Sequence, residues 1–183
     1  MTTFTTHQQA SPYVSPWSLG VRWRLLAWEY CWLLLCAWTP KPFNAWRLFW
    51  LRVFGARISG VPFVHQRARI AMPWNLELRH RACLGDRANA YSLGAIVLEE
   101  DATVAQEAYL CAGTHDFFNA AMPLKTARIV IGARAFVGAR AFVLPGISIG
   151  ADALIGACSV VTRDVAARAI CAGNPCKFIR QRA

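Results

Sequence analysis

Every sixth residue from Ile131 to Val161 is a β-branched aliphatic: Ile131, Val137, Val143, Ile149, Ile155 and Val161. Each is followed by Gly132, Gly138, Leu144, Gly150, Gly156 or Thr162. Two places before each stands a mostly small residue, Ala135, Ala141, Ala153 and Ser159 among them. An α-helix turns every ~3.6 residues and a strand alternates every ~2, so neither keeps this period on one face. A solenoid does, with one short strand and one turn per repeat and the aliphatic stacked on its copy one coil on. On this reading the small residue sits at a tight corner, and the glycine lets the backbone take conformations that side chains forbid. No repeat buries its apolar side alone, so stability comes from neighbouring coils.

The period extends upstream through Leu98, Val104 and Leu110. Ile58, Val64, Ile70 and Leu76 keep it further back, until Ala82 breaks it. Leu84, Ala90 and Ile96 form a register shifted by two residues, a slip expected of small bulges or degenerate coils. Leu110 and Ile131 are 21 residues apart, not a multiple of six, so an insertion over 112–127 is predicted to protrude. It carries Thr114-His115-Asp116-Phe117, and loops on rigid scaffolds are where function concentrates.

Residues 17–56 differ from the rest and hold seven of the eight tryptophans. The pattern predicts a helix over 18–37, a break at Thr39-Pro40-Lys41-Pro42, and a second helix over 44–54 closed by Gly55. The uncharged run Tyr30–Thr39 is far short of the roughly 20 residues that span a bilayer. Apolar residues on nearly every face of the first helix favour packing on the main domain or a partner subunit. An interfacial helix in peripheral contact with a membrane is the other reading. Residues 1–16 are polar and Pro-interrupted; they read as a flexible tail with no signal-peptide pattern. The β-helix then covers 57–165, and 166–183 form a C-terminal segment.

The chain has 183 residues, 56% apolar and 16% charged, which excludes intrinsic disorder. A net charge of +10 favours an anionic partner. The arginines are scattered and form no recognised binding module, so no nucleic-acid partner is expected. Seven cysteines without C-x-x-C spacing read as reduced thiols in a cytoplasmic protein. His65, His80 and His115 are the histidines of the solenoid, and none pair at neighbouring-coil spacing, so no metal site is expected.

Several segments together resemble the hexapeptide-repeat, left-handed parallel β-helix acyltransferases. They are Ala108 to Asp116, the 131–161 repeat, Ser159 to Asp164, Gly173 to Arg180, and Pro42-Phe43 with Phe54-Gly55-Ala56. Within that family the chain is most similar to the sugar O-acetyltransferase branch, and there to the colanic acid biosynthesis acetyltransferases. The fold class implied is an all-β solenoid with N-terminal α-helices and a protruding active-site loop. The resemblance also implies a homotrimer with acetyl-CoA lying in the cleft between adjacent β-helices.

The activity implied is acetyl transfer to a hydroxyl of a sugar or lipid-linked glycan, in exopolysaccharide biosynthesis, in the cytoplasm or at the inner membrane face. An N-acetyltransferase on an amino sugar and a non-catalytic scaffold are the alternatives. Carried onto this chain, the general base is His115, since an imidazole titrating near pH ~6.5 can take a hydroxyl proton. Asp116 orients that imidazole or caps the loop. Ser92 stands where relatives have an acceptor-contacting Asn, and Asn89 is its candidate substitute, with a turn role as the other reading. Ala139 and Ala157 map to backbone contacts with the pantetheine arm. Thr162 and Arg163 fall near the donor, and Lys177 and Arg180 match basic residues that meet CoA phosphates.

Overall fold

A computed structural model of the protein describes residues 3–182. The chain from Arg57 winds into a left-handed parallel β-helix with three faces. One face stacks Arg57–Ile58, Leu76–Leu78, Ile96–Leu98, Ile129–Ile131 and Ser148–Ile149. The next runs from Phe63–Val64 through Cys83–Leu84, Thr103–Val104, Phe136–Val137 and Leu154–Ile155 to Ala169–Ala172, and Lys177–Gln181 closes it as an antiparallel strand. The third stacks Arg69–Ile70, Asn89–Tyr91, Tyr109–Cys111, Phe142–Val143 and Val160–Val161.

The strand pairing explains the register slips. Ile58 pairs with Leu78, Leu78 with Leu98, Leu98 with Ile131 and Ile131 with Ile149. Leu84, Val104, Val137 and Ile155 stack on the second face, and Ala90, Leu110, Val143 and Val161 on the third. These inward side chains are buried almost without exposure, except Ile58 of the first coil, which is partly buried. The early coils are therefore complete, not degenerate. Each carries two extra residues, and both pairs lie on the edge between the third face and the first, after Ile70 and after Ala90. The insertion leaves from the same edge one coil later.

The glycines serve a different purpose from the one expected. Gly132, Gly138, Gly150 and Gly156 do not lie at positive φ. They allow close approach: a Cβ on Gly138 would sit 2.6 Å from the Ala157 amide nitrogen and the Ile155 carbonyl oxygen of the next coil. Left-handed backbone falls instead three places after the aliphatic, on charged residues and on Cys158. Arg81, Asp101, Arg134 and Asp152 line one edge and Arg87, Glu107 and Arg140 the next, all at φ between +54° and +60°. They pair across coils: Arg134 bonds Asp152 through two contacts of 2.7 Å, and Arg140 meets Glu107 at 2.6 Å. A left-handed L-residue costs about 1–2 kcal/mol, and an exposed ion pair returns about 0–1. The ladders cannot hold these corners alone. The aliphatic stack does, at about 1.5–3 kcal/mol per buried side chain.

Two helices cap the N-terminal end. Helix α1 spans Leu19–Cys31, with Ser18 capping it, and continues as a π-helical turn over Trp32–Cys36. Helix α2 spans Asn44–Val53 after a short 3-10 turn at Lys41–Phe43. Gly55, at φ +94°, ends it as expected. The Trp28 indole donates to the Ile70 carbonyl at 2.7 Å, and buried Arg47 donates to Val64, Thr39, Pro40 and Lys41 oxygens. Arg47 thus ties the helices to the first coil. The segment expected to be a flexible tail contains a strand, Thr5–His7, paired with Leu124–Thr126 of the insertion.

Gly138→Ala should lower stability by about 1–3 kcal/mol, because only backbone stands in the way of the new methyl. Thermal unfolding measures this. An unchanged midpoint would remove close packing of coils as the reason for the glycine period.

Candidate active site

The edge with the extra residues is built as a pedestal. In the lowest layer Pro73–Asn75 makes a 3-10 turn. Above it, buried Ser92 accepts from the Met72 amide and donates to the Met72 carbonyl, both at 2.9 Å. The Asn75 amide donates to the carbonyls of Ser92 and Leu93 at 2.9 and 3.0 Å. Gly94 lies directly under the insertion, where a Cβ would come within 3.0 Å of the Ala112 and Ala127 oxygens. The insertion rises from this base as an antiparallel hairpin, Gly113–His115 against Leu124–Thr126, closed at its foot by Ala127 N–H donating to Ala112. Thr5–His7 adds a third strand, and the Gln9 side chain accepts from Leu124 N–H at 2.7 Å.

His115 ends the rising strand and is exposed. Its Nδ1 lies 2.7 Å from the Met122 carbonyl oxygen. A carbonyl only accepts, so Nδ1 carries the proton. The Nε2 lone pair is then free to accept a proton from another molecule. Met122 is held for this at φ +43°, with its N–H donated to Asn119.

Asp116 does not orient the imidazole. Its carboxylate meets Lys125 Nζ at 2.7 Å and accepts from Phe118 N–H, while its own N–H donates to Pro123. The Lys125 ammonium, with the Phe118 amide, holds the carboxyl below its ordinary value. Asp116 is the cap of the hairpin tip. Met122 and Lys125 escaped the sequence reading, since a carbonyl acceptor has no side-chain signature and the Asp116–Lys125 pair follows no regular spacing.

The other expected site residues fall in five places. Ser92 is enclosed in the pedestal, where its hydroxyl serves Met72. Asn89 is half-buried on the outer side of the third face, between Arg69 and Tyr109. Tyr109 stacks on Phe142 at 4.9 Å, and burial pushes its phenol up to about 12. Thr162 and Arg163 are exposed on the hairpin's own edge, beyond Val161. Ala139 and Ala157 stack on the opposite edge of the third face, joined by Cys158 N–H donating to Ala139. Lys177 and Arg180 are exposed on the antiparallel strand of the second face. One chain therefore does not bring His115 beside its own Ala139 and Ala157.

Charge is sorted as well. Along the coils, Glu77, Asp86, Glu99, Asp101, Glu107 and Asp152 all have arginine partners. Two poles keep an excess of cations. The C-terminal pole carries Arg163, Arg168, Lys177, Arg180 and Arg182 against Asp164, all exposed. The helical pole exposes Arg22, Arg24, Lys41 and Arg52 against Glu29.

The family profile "Bacterial transferase hexapeptide (six repeats)" matches residues 128–163. WcaF of Escherichia coli strain K12, assigned by name to colanic acid biosynthesis as an acetyltransferase, is 36% identical over 80% of this chain and 80% of its own. A maltose O-acetyltransferase from Clostridium difficile 630 superposes with a TM-score of 0.73 at 20% identity, covering 91% of this chain and 90% of that one. A hexapeptide-repeat acetyltransferase of Vibrio cholerae O1 biovar eltor, solved with acetyl-CoA, gives 0.83 at 14% identity over 93% of each chain.

The Asp116 contact has a defined pH dependence. Its folded value lies below the ordinary 3.8, so the stabilisation is present above that pH and is lost as pH falls through the folded value. The hydrogen-exchange protection of the Phe118 amide should hold at neutral pH and collapse in acid, and Lys125→Met should move the collapse to higher pH. Protection indifferent to acid would refute the cap.

Proposed function

The chain belongs to the hexapeptide-repeat transferases and is an acetyltransferase, and we propose that it moves acetyl from acetyl-CoA to a hydroxyl of a sugar or lipid-linked glycan. The observation that carries this reading is the His115 imidazole, with Nδ1–H fixed on the Met122 carbonyl at 2.7 Å and Nε2 left bare. In this role Nε2 takes the acceptor hydroxyl's proton as the oxygen attacks the thioester carbonyl. The same nitrogen then returns the proton to the departing sulfur. The Met122 carbonyl faces the positive charge that the imidazole gains between these steps.

The donor is assigned to the basic C-terminal pole. Lys177 and Arg180 meet its phosphates, Thr162 and Arg163 approach it from the hairpin edge, and the Ala139–Ala157 edge offers backbone to the pantetheine arm. A homotrimer gives this assignment its geometry, because the hairpin edge of one copy can face the alanine edge of the next. Asn89, on the face between the two edges, is the acceptor contact we retain. Similarity to WcaF supports a role in exopolysaccharide biosynthesis. Acetyl-CoA as donor and seven free cysteines support a cytoplasmic site of action, including the inner membrane face.

His115→Ala should cost about 10²–10⁴-fold in transfer rate while leaving acetyl-CoA affinity, read by calorimetry, nearly unchanged. Turnover equal to wild type removes His115 from the reaction. Lys177→Ala with Arg180→Ala should weaken acetyl-CoA about tenfold or more, one charge-assisted bond being worth about 1.5–3 kcal/mol. The loss should shrink when the donor lacks its 3′-phosphate. An equal loss for both donors contradicts a phosphate clamp at these residues.

A further inference from the structure

The first helix, read from sequence as packing on the main domain or a partner subunit or as resting on a membrane, packs on the coils along one side only. Its inner side holds Trp28 and Cys36, both buried. Its outer side exposes Leu19, Trp23, Leu26, Tyr30, Leu33 and Leu34 at 42–69%, a single stripe at helical spacing. Helix α2 repeats the arrangement. Arg47, Leu48 and Leu51 face inward, while Phe43, Trp46, Phe49 and Val53 are 42–56% exposed.

The two stripes meet where the Trp46 indole N–H donates to the Leu35 carbonyl at 2.8 Å. Trp38, also exposed, donates to Leu34 at 2.7 Å. These rings present carbon outward with their N–H groups already bonded to backbone, so burying them in hydrocarbon leaves no unmet donor. So large an apolar surface marks an interaction site rather than ordinary exposure.

Charge identifies what covers it. The same segment exposes four cations, Arg22, Arg24, Lys41 and Arg52, and one acid, Glu29. A second copy of the chain is a poor match. Six of the acids along its coils already face arginines and Asp116 faces Lys125, which leaves only Glu100 and Asp164 there without an ion pair among the described residues. Its helical segment would bring like charge. A bilayer rich in anionic lipid supplies both hydrocarbon and negative charge. Among the described residues no helix is long and apolar enough to cross a membrane, so the segment lies along the surface.

We propose that α1, the π-helical turn and α2 form an interfacial platform that docks the protein on an anionic membrane. This goes beyond acetyl transfer and does not depend on it.

The test is flotation of the full chain with vesicles of phosphatidylglycerol and phosphatidylethanolamine, and with vesicles of phosphatidylcholine alone. Binding to the anionic vesicles, a blue shift of tryptophan emission, and weakening near ~1 M salt, where the Debye length is ~3 Å, are expected. Leu26→Gln with Leu33→Gln and Phe49→Gln should reduce binding at least tenfold. These positions are exposed, so circular dichroism should be unchanged. No flotation with anionic vesicles, or equal flotation of the variant, overturns the proposal. So does a change in oligomer mass by sedimentation in the variant, which would assign the stripe to another copy. Acetyl-CoA calorimetry on the same samples separates the readings: intact donor binding without vesicle binding refutes docking alone.

Discussion

Each coil of this protein must bring its three inward aliphatics back onto the three below. Val104 must meet Leu84 and Val137, and Leu110 must meet Ala90 and Val143. A residue added inside a strand would turn its inward side chain out, because strand side chains alternate faces. Extra residues are therefore confined to an edge. In this chain they accumulate on one edge, from the pairs after Ile70 and Ala90 to the hairpin after Leu110. The catalytic candidate stands on that edge because the core permits growth there, and the Ser92 and Asn75 bonds beneath it make a firm base.

The same constraint distributes the electrostatics. Two edges turn through left-handed residues whose side chains stack coil upon coil, and alternating Arg with Asp or Glu converts that stacking into attraction. The middle of the molecule is thereby nearly neutralised. The net positive charge is left at the two ends, one facing where a phosphate-rich donor is proposed to lie and the other lined with exposed aromatic rings. The third face separates the His115 edge from the Ala139–Ala157 edge, so the proposed chemistry calls for neighbouring copies.

The solenoid, the boundaries of the insertion and the position of His115 were legible in the sequence, because a six-residue period leaves an unmistakable spacing. The meaning of the two-residue slips was not, since a pattern read along one line cannot show that both fall on one edge. The glycines were legible in position but not in cause. Close approach and positive φ both favour glycine, and only the neighbouring coil distinguishes them. Thr5–His7 was hidden because its partner lies some 120 residues away and short Thr-rich runs carry no alternation. Asp116 could be read as orienter or cap until Lys125 was seen beside it. The exposed stripe of α1 was masked by a helix apolar on nearly every side.

Everything proposed for the chemistry depends on which imidazole nitrogen of His115 carries the proton. Nitrogen-15 NMR of the histidine rings reports this directly, with His115→Gln used to assign the signal. The account predicts, for the neutral ring, a protonated Nδ1 and a bare Nε2. A neutral ring protonated on Nε2 would contradict it, because the nitrogen facing the acceptor would then have no lone pair to receive its proton.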